Sequence, residues 1–278
     1  MIRICIYGKG GIGKSTVVAN IAAAAAQAGR RVLVIGCDPK ADTTRTLLHR
    51  SVETILEAHA RTGGAPAIGE ILHEGAFGVS CLESGGPRAG EGCAGKGIAL
   101  ALEDIRTLGV FERAKPDLIL YDVLGDVVCG GFSTPLRANV AETAYVVTTA
   151  DYMSLYAANN IAGCIRKYAL RGGCRLGGLI YNERSAVGEA DVVEQFAAGI
   201  GTRVVGRIPM DPAISRAELH RMTVLEHRPE APSAAAFRAL CDRMLSAEEG
   251  CVPQPLEREA LEALGDCIAR AAFPEEET

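Results

Sequence analysis

"IYGKGGIGKST", residues 6–16, decides the fold. An apolar run, "IRICIY" at 2–7, enters a glycine-rich turn, and an alanine-rich segment of helical pattern leaves it. Gly8, Gly13, Lys14 and Ser15 stand at the G-x-x-x-x-G-K-[ST] spacing, between strand and helix as a phosphate loop requires. Glycines there let backbone N–H groups close around phosphate oxygens, and the helix N-terminus adds its positive end. Gly8, Lys9, Gly10, Gly11, Ile12, Gly13, Lys14, Ser15 and Thr16 are therefore the expected nucleotide contacts. Lys14 would neutralise the β/γ phosphates, and Ser15 would reach Mg²⁺. Lys9 is a second lysine in a loop that already has its phosphate lysine, a deviant Walker A form. It acquires a purpose only if something faces it.

Outward from the loop, short β-branched runs alternate with helical patterns, which predicts parallel βαβ units. Strands are expected at 2–7, 31–37, 117–122, 144–149, 177–181 and 203–208. Helices are expected at 14–28, 97–108, 154–170, 189–199, 233–247 and 257–271. Residues 42–92 are less regular, with helices near 50–61 and 68–73. No repeat and no Pro/Gly/Ser linker divides the chain. Residues 1–278 thus read as one doubly wound α/β domain with a mostly parallel sheet, in which 250–278 supplies a packing helix and an acidic tail. Ligands of such sheets bind beyond the carboxyl ends of the strands. Asp38 and Asp122 close the apolar runs "VLVIGCD" and "LILYD" on that edge, where either could hold a metal's water or orient an attacking one.

Composition removes several classes. With 48% hydrophobic and 23% charged residues the chain is an ordinary globular protein. A net charge of −5 without a basic run argues against a nucleic-acid coat. The longest apolar stretch, "VVANIAAAAAQAG", is broken by Asn20 and Gln27 and is too weak to span a bilayer, so no membrane partner is expected. The N-terminus reads straight into a strand, which predicts no signal peptide and a cytoplasmic protein. That expectation sets disulfides aside despite ten cysteines, and the absence of any C-x-x-C sets a zinc ribbon aside. The five histidines are scattered, and none pairs with a carboxylate at metal-ligand spacing.

Two cysteines differ from the rest. Cys5 and Cys37 sit in apolar strands and read as small core residues, and six others have no recognisable ligand context. Cys93, in "GCAGKG", and Cys129, in "VCGGF", are flanked by glycines that let backbone amides approach a sulfur-bound anion. The loop containing Cys93, 83–97, is glycine-rich and aperiodic. A segment of this kind is functional or merely a flexible surface, and the cysteine favours function. Cys93 also precedes a predicted helix, whose N-terminus favours a thiolate. An iron–sulfur cluster takes four thiolates where one chain offers two, and a two-fold dimer supplies four. The same homodimer would carry Lys9 towards the nucleotide of the facing subunit.

The stretches "IYGKGGIGKST", "GCDPKAD", "ESGGP", "GCAGKG", "YDVLGDVVCGGF", "YAANNI", "RLGGLI" and "RMTV" together resemble the nitrogenase iron protein family, over essentially the whole chain. The resemblance implies a homodimer bridging one [4Fe–4S] cluster through Cys93 and Cys129 of each subunit. It implies MgATP hydrolysis gating the transfer of single electrons to a separate nitrogenase or nitrogenase-like catalytic component, with ferredoxin or flavodoxin as electron source. By the motif matches, Gly8 to Thr16 hold the phosphates and Lys9 acts across the dimer. Asp38, Lys40 and Asp42 form a first switch, and Asp122 to Cys129 a second. Asp126 orients water, and Asn182 contacts adenine. Departures lie in the docking face. Lys96 stands where members serving nitrogenase have arginine, the target of regulatory ADP-ribosylation in some organisms, and Arg88–Ala89 replaces a Glu-Pro pair. "YNERS" and "IPMD" differ around the expected adenine pocket. Relatives of this reductase serve other reductions, of protochlorophyllide, a nickel-tetrapyrrole precursor and methylthio-alkanes, and the changed face favours a partner of that nitrogenase-like kind.

Two other classes share the deviant loop. Partitioning and positioning ATPases carry no cluster and need a basic or membrane-binding face, whereas the 257–271 segment is acidic. Iron–sulfur scaffold ATPases typically use a C-x-x-C pair, absent here.

Overall fold

β1 (Ile2–Tyr7) lies near the middle of the sheet, hydrogen-bonded on one side to β5 (Leu118–Val123) and on the other to β6 (Thr143–Thr148), all parallel. The computed structural model describes residues 1–86, 94–125, 130–184, 190–246 and 249–272. Among these, the strands form one sheet of order β3-β4-β2-β5-β1-β6-β7-β8. β2 (Val32–Cys37), β4 (Ser80–Glu83), β7 (Arg175–Asn182) and β8 (Val204–Ile208) continue it in parallel. Only β3 (His73–Glu74) at one edge runs antiparallel, against β4.

Burial on both faces explains the near-continuous apolar strands. Successive residues point to opposite sides, so Ile4 and Ile6 enter one core while Cys5 and Tyr7 enter the other. The first core lies under α1 (Lys14–Gln27). Ala22, Ala23, Ala24 and Ala25 are buried there, and their small side chains let the helix sit close to the sheet.

The stretch expected to be less regular, 42–92, holds only short elements among its described residues, and two helices follow it before β5. The short elements include α2 (Arg45–Leu48), α3 (Ile55–Thr62), α4 (Ile68–Ile71) and the edge strands, and the two helices are α5 (Ala94–Thr107) and α6 (Val110–Ala114). The helix expected near 50–61 starts only at Ile55, because Thr54 and Glu57 close a capping box. α5 starts at Ala94, three residues before the expected boundary, which puts Lys96 on its first turn.

Beyond β6 come α7 (Tyr152–Ala169), α8 (Ala190–Gly199), α9 (Pro212–Leu219), α10 (Val224–His227), α11 (Pro232–Leu245) and α12 (Arg258–Ala272). α11 joins α1 over the first core, and α12 packs against α7 and α8 on the other face. The strands β3 and β4 and helices α2, α6, α9 and α10 were not foreseen, since each is too short for its period to show. No described helix is long and apolar enough to cross a membrane.

Candidate functional site

Adjacent strand ends build the floor of the site. Glu83, Gly36, Asp122 and Ile6 are register partners across β4, β2, β5 and β1. Register partners in parallel strands share a face, here the α1 face. Lys14 reaches down from the first turn of α1 and forms an ion pair with Asp122, both side chains buried at 4% and 0% exposure. The other oxygen of Asp122 accepts a hydrogen bond from the Thr43 hydroxyl at 2.7 Å. The next residue, Thr44, donates its N–H (2.6 Å) and its hydroxyl (2.8 Å) to Oε1 of Glu83. Burial pushes the Glu83 carboxyl up to about 8 against those two bonds, and the nearby Asp122 and Asp42 add to the rise.

Above this floor the phosphate loop has the geometry its glycines imply. Gly11 (φ 80°) and Gly13 (φ 88°) adopt left-handed backbone that L side chains resist. The first turn of α1 carries no acidic residue to neutralise its positive end. Gly8 is wedged beside β6, since a Cβ there would lie 2.8 Å from the Val147 carbonyl oxygen. Ser15 is half-buried on the first helical turn. A cradle of N–H groups, a buried lysine, a hydroxyl and strand-end carboxylates suits a Mg²⁺-bound triphosphate.

The sequence-derived residues meet here to different degrees. Asp38 is buried at the same edge, but its Oδ1 accepts the Lys40 N–H at 2.9 Å and so caps its own loop. Lys40 and Asp42 lie on the open side. Crowding by protein atoms, and then the charges of Asp38 and Asp122, raise the Asp42 carboxyl above its ordinary range. Lys9 is 40% exposed, with its ammonium 3.7 Å from Asp151, the N-cap of α7. Asn182, at the end of β7, donates its amide to the Ile12 carbonyl at 2.6 Å and closes one side of the loop. It lines a cleft of about 310 Å³ with Gly13, Thr16, Met210, Glu218 and Phe237, a plausible size for a nucleoside. The Thr16 hydroxyl donates to the Glu218 carboxylate. Sequence reading missed Glu218 because it missed α9. The signal was there: Asp211 caps the helix through the Ala213 N–H, and Pro212 follows at the first helical position.

Cys93, Asp126 and Cys129, with Arg88 and Ala89, lie outside the described residues. Their flanks do not. Gly95 and Gly131, each two residues beyond one candidate thiolate, pack backbone on backbone: a Cβ built on Gly131 would lie 1.9 Å from the Gly95 carbonyl oxygen. The second arm is anchored to β1, whose Tyr7 hydroxyl donates to the Phe132 carbonyl at 2.8 Å. Gly125, on the near side of the same arm, rests on the phosphate loop, where a Cβ would meet the Gly8 carbonyl oxygen at 2.5 Å. Glycine-lined arms brought to one place suit a thiolate-bound cluster.

Five of the remaining cysteines are core residues. Cys5, Cys37, Cys81, Cys174 and Cys241 are buried, with the Cys5 and Cys174 sulfurs 3.7 Å apart. Burial pushes the Cys37 thiol up to about 12 and Cys241 to about 11, so both stay protonated. Among the described residues no group of three or more His, Cys, Asp or Glu side chains could hold a metal ion.

A model of "4Fe-4S iron sulfur cluster binding proteins, NifH/frxC family" matches residues 2–269. The nitrogenase iron protein of Methanococcus voltae is 48% identical over 269 residues, covering 96% of this chain and 97% of that one. Nitrogenase iron protein 2 of Methanothermobacter thermautotrophicus is 49% identical over 262 residues, 94% of this chain and 96% of that one. Among solved structures, the cell division ATPase MinD of Pyrococcus furiosus superposes with a TM-score of 0.69 at 21% identity, over 88% of this chain and 98% of that one. A ParA family ATPase of Chlorobium tepidum gives 0.63 at 20% identity, over 88% and 98%. At that identity the likeness is one of fold.

Proposed function

Since the chain belongs to the NifH/frxC family of 4Fe-4S iron–sulfur cluster binding proteins, whose members use MgATP, we propose that it donates single electrons to a separate nitrogenase-like catalytic component. One observation carries the reading. Gly125 rests on Gly8 of the phosphate loop, and Gly131 rests on Gly95, so the described flanks of the two candidate thiolates touch each other and one of them also touches the phosphate loop.

When bound, the [4Fe–4S] cluster supplies a one-electron couple of low potential. Cys93 and Cys129 of each of two subunits would hold it, with the glycines beside them leaving room for backbone amides near its sulfurs. Lys14 exchanges Asp122 for phosphate oxygens, which frees Asp122 for the metal's water. Ser15 gives its hydroxyl to Mg²⁺, and Asp126 orients the attacking water. Lys9 leaves its exposed contact with Asp151 and reaches the nucleotide of the facing subunit. Asp38, Lys40 and Asp42 move as the first switch, and Asp122 to Cys129 as the second. A ferredoxin or flavodoxin would serve as the electron source.

Lys96, exposed on the first turn of α5, sets the partner apart: lysine keeps the charge of an arginine but not its planar fork. A second reading, nitrogenase itself as partner, is favoured by the names of the relatives. Anaerobic purification decides the function, with about four irons expected per dimer. A colourless ATPase would overturn it. Electron delivery to the component that co-purifies decides between the two partners.

A further inference from the structure

Glu83 is 1% exposed, and the mechanism above gives it no task. Its Oε1 takes both hydrogen bonds from Thr44, whereas its Oε2 has no hydrogen-bond partner among the described residues. A buried carboxyl oxygen left without a hydrogen-bond partner is an unfavourable arrangement that needs a reason. The space it occupies exists only because residue 36 is glycine: a Cβ there would lie 1.9 Å from Glu83 Oε2, with Thr43 Oγ1 beside the same point at 2.9 Å.

The stretch that begins at Glu83 leads in sequence to Cys93, and its described part, Glu83–Gly86, packs beside the first switch. The Ser84 N–H donates to the Gly36 carbonyl at 2.8 Å. Gly86 lies against Pro39, between Asp38 and Lys40, where a Cβ on it would meet the Pro39 Cβ at 2.5 Å. At the other end, Thr43 hangs on Asp122, which is shared with Lys14. Contacts and neighbouring backbone thus link Lys14 through Asp122, Thr43, Thr44 and Glu83 to Gly86.

We propose that Glu83 is a positioning residue that couples the first switch to the Cys93 arm, so that MgATP acts on the cluster through both arms rather than through the Asp122–Cys129 segment alone. The inference rests on the reading that the loop takes MgATP and Cys93 a cluster. When Lys14 turns to phosphate, the hold of Asp122 on Thr43 changes, and Thr44 carries the shift to Glu83. The free oxygen of Glu83, which carries the carboxyl proton, offers the Thr43 hydroxyl oxygen a donor in the shifted state, as the amide of glutamine would.

Hydrogen–deuterium exchange of the full-length protein, with and without MgATP, tests this directly and needs no cluster. In the wild type, MgATP should change exchange both at 37–48 and at 84–100. Glu83→Ala should keep the first response and at least halve the second. Glu83→Gln should keep both, because burial already holds the carboxyl protonated near neutral pH and an amide resembles it. If Glu83→Ala does not fold, Thr44→Val removes only the hydroxyl donor and should weaken the response at 84–100. Cluster-loaded protein adds a redox titration, in which the MgATP-induced shift in midpoint should fall in Glu83→Ala and persist in Glu83→Gln. An undiminished response at 84–100 in Glu83→Ala or Thr44→Val overturns the coupling, as does a wild type that responds at 37–48 alone. A protein without iron would overturn the proposed function, while the exchange data would still decide the link.

Discussion

Lys14, on the first turn of α1, and Asp122, at the end of β5, form a buried ion pair that ties the phosphate loop to the strand end leading to Cys129. Removing one partner of such a pair leaves an uncompensated charge and costs about 3–5 kcal/mol. Asp122→Ala should therefore lower the unfolding temperature markedly, and ATP should restore part of the loss because phosphate re-pairs Lys14. Lys14→Ala should gain no such protection. Thermal unfolding with and without nucleotide reads both, and an ATP-protected Lys14→Ala protein would show that the lysine is not the phosphate ligand.

Two glycines of the second arm should fail differently. Gly125→Ala pushes a methyl group into the Gly8 carbonyl and should weaken ATP binding. Gly131→Ala pushes one into the backbone of Gly95 and should reduce iron content while leaving ATP affinity near the wild-type value. Iron analysis and isothermal titration separate the two, and identical phenotypes would mean that the arm responds as one rigid piece.

Cluster assembly should require two of the ten cysteines. Cys93→Ser or Cys129→Ser should abolish iron binding. Cys174→Ser should leave it unchanged, since that sulfur is buried against Cys5 in the core. Full iron occupancy in either of the first two variants contradicts the assignment.

Lys9 is half-exposed, and its contact with Asp151 contributes little to stability. Lys9→Ala should accordingly keep its unfolding temperature and its ATP affinity, yet lose ATP turnover. A loss of affinity equal to that of Lys14→Ala would make Lys9 an ordinary phosphate ligand of its own loop.

Glu83 should tilt the pH profile of stability. Its carboxyl lies near 4.5 when unfolded and about 8 when folded, so between these values the folded state holds a proton that the unfolded chain has released. Stability from this group is full below the lower value and is lost as pH rises towards the upper one. Glu83→Gln cannot titrate. Measured by denaturant unfolding across that window, it should gain on the wild type with rising pH. Parallel profiles would place the Glu83 carboxyl in the ordinary range.

The phosphate loop and the alternation of strands and helices were legible in the chain, because both depend on local rules. A strand feeding "GKGGIGKST" has few other uses, and buried parallel strands write themselves as apolar runs between helical periods. Asn182 came only from the family resemblance, whereas Asp38 and Asp122 were readable as strand-end residues for the same reason. β4 and α9 were not, since four or eight residues scarcely establish a period, and Glu218 was lost with α9.

What only the tertiary structure decided is contact between segments distant in sequence. "ESGGP" was visible as a motif, but nothing local says that Glu83 would sit over Gly36 and accept from Thr44, because β2–β4 pairing creates that neighbourhood. The same holds for Gly131 on Gly95 and Gly125 on Gly8, approaches possible only where both partners lack a side chain. Local propensity selects the elements, whereas register and close packing between remote elements select which residues can act on one another.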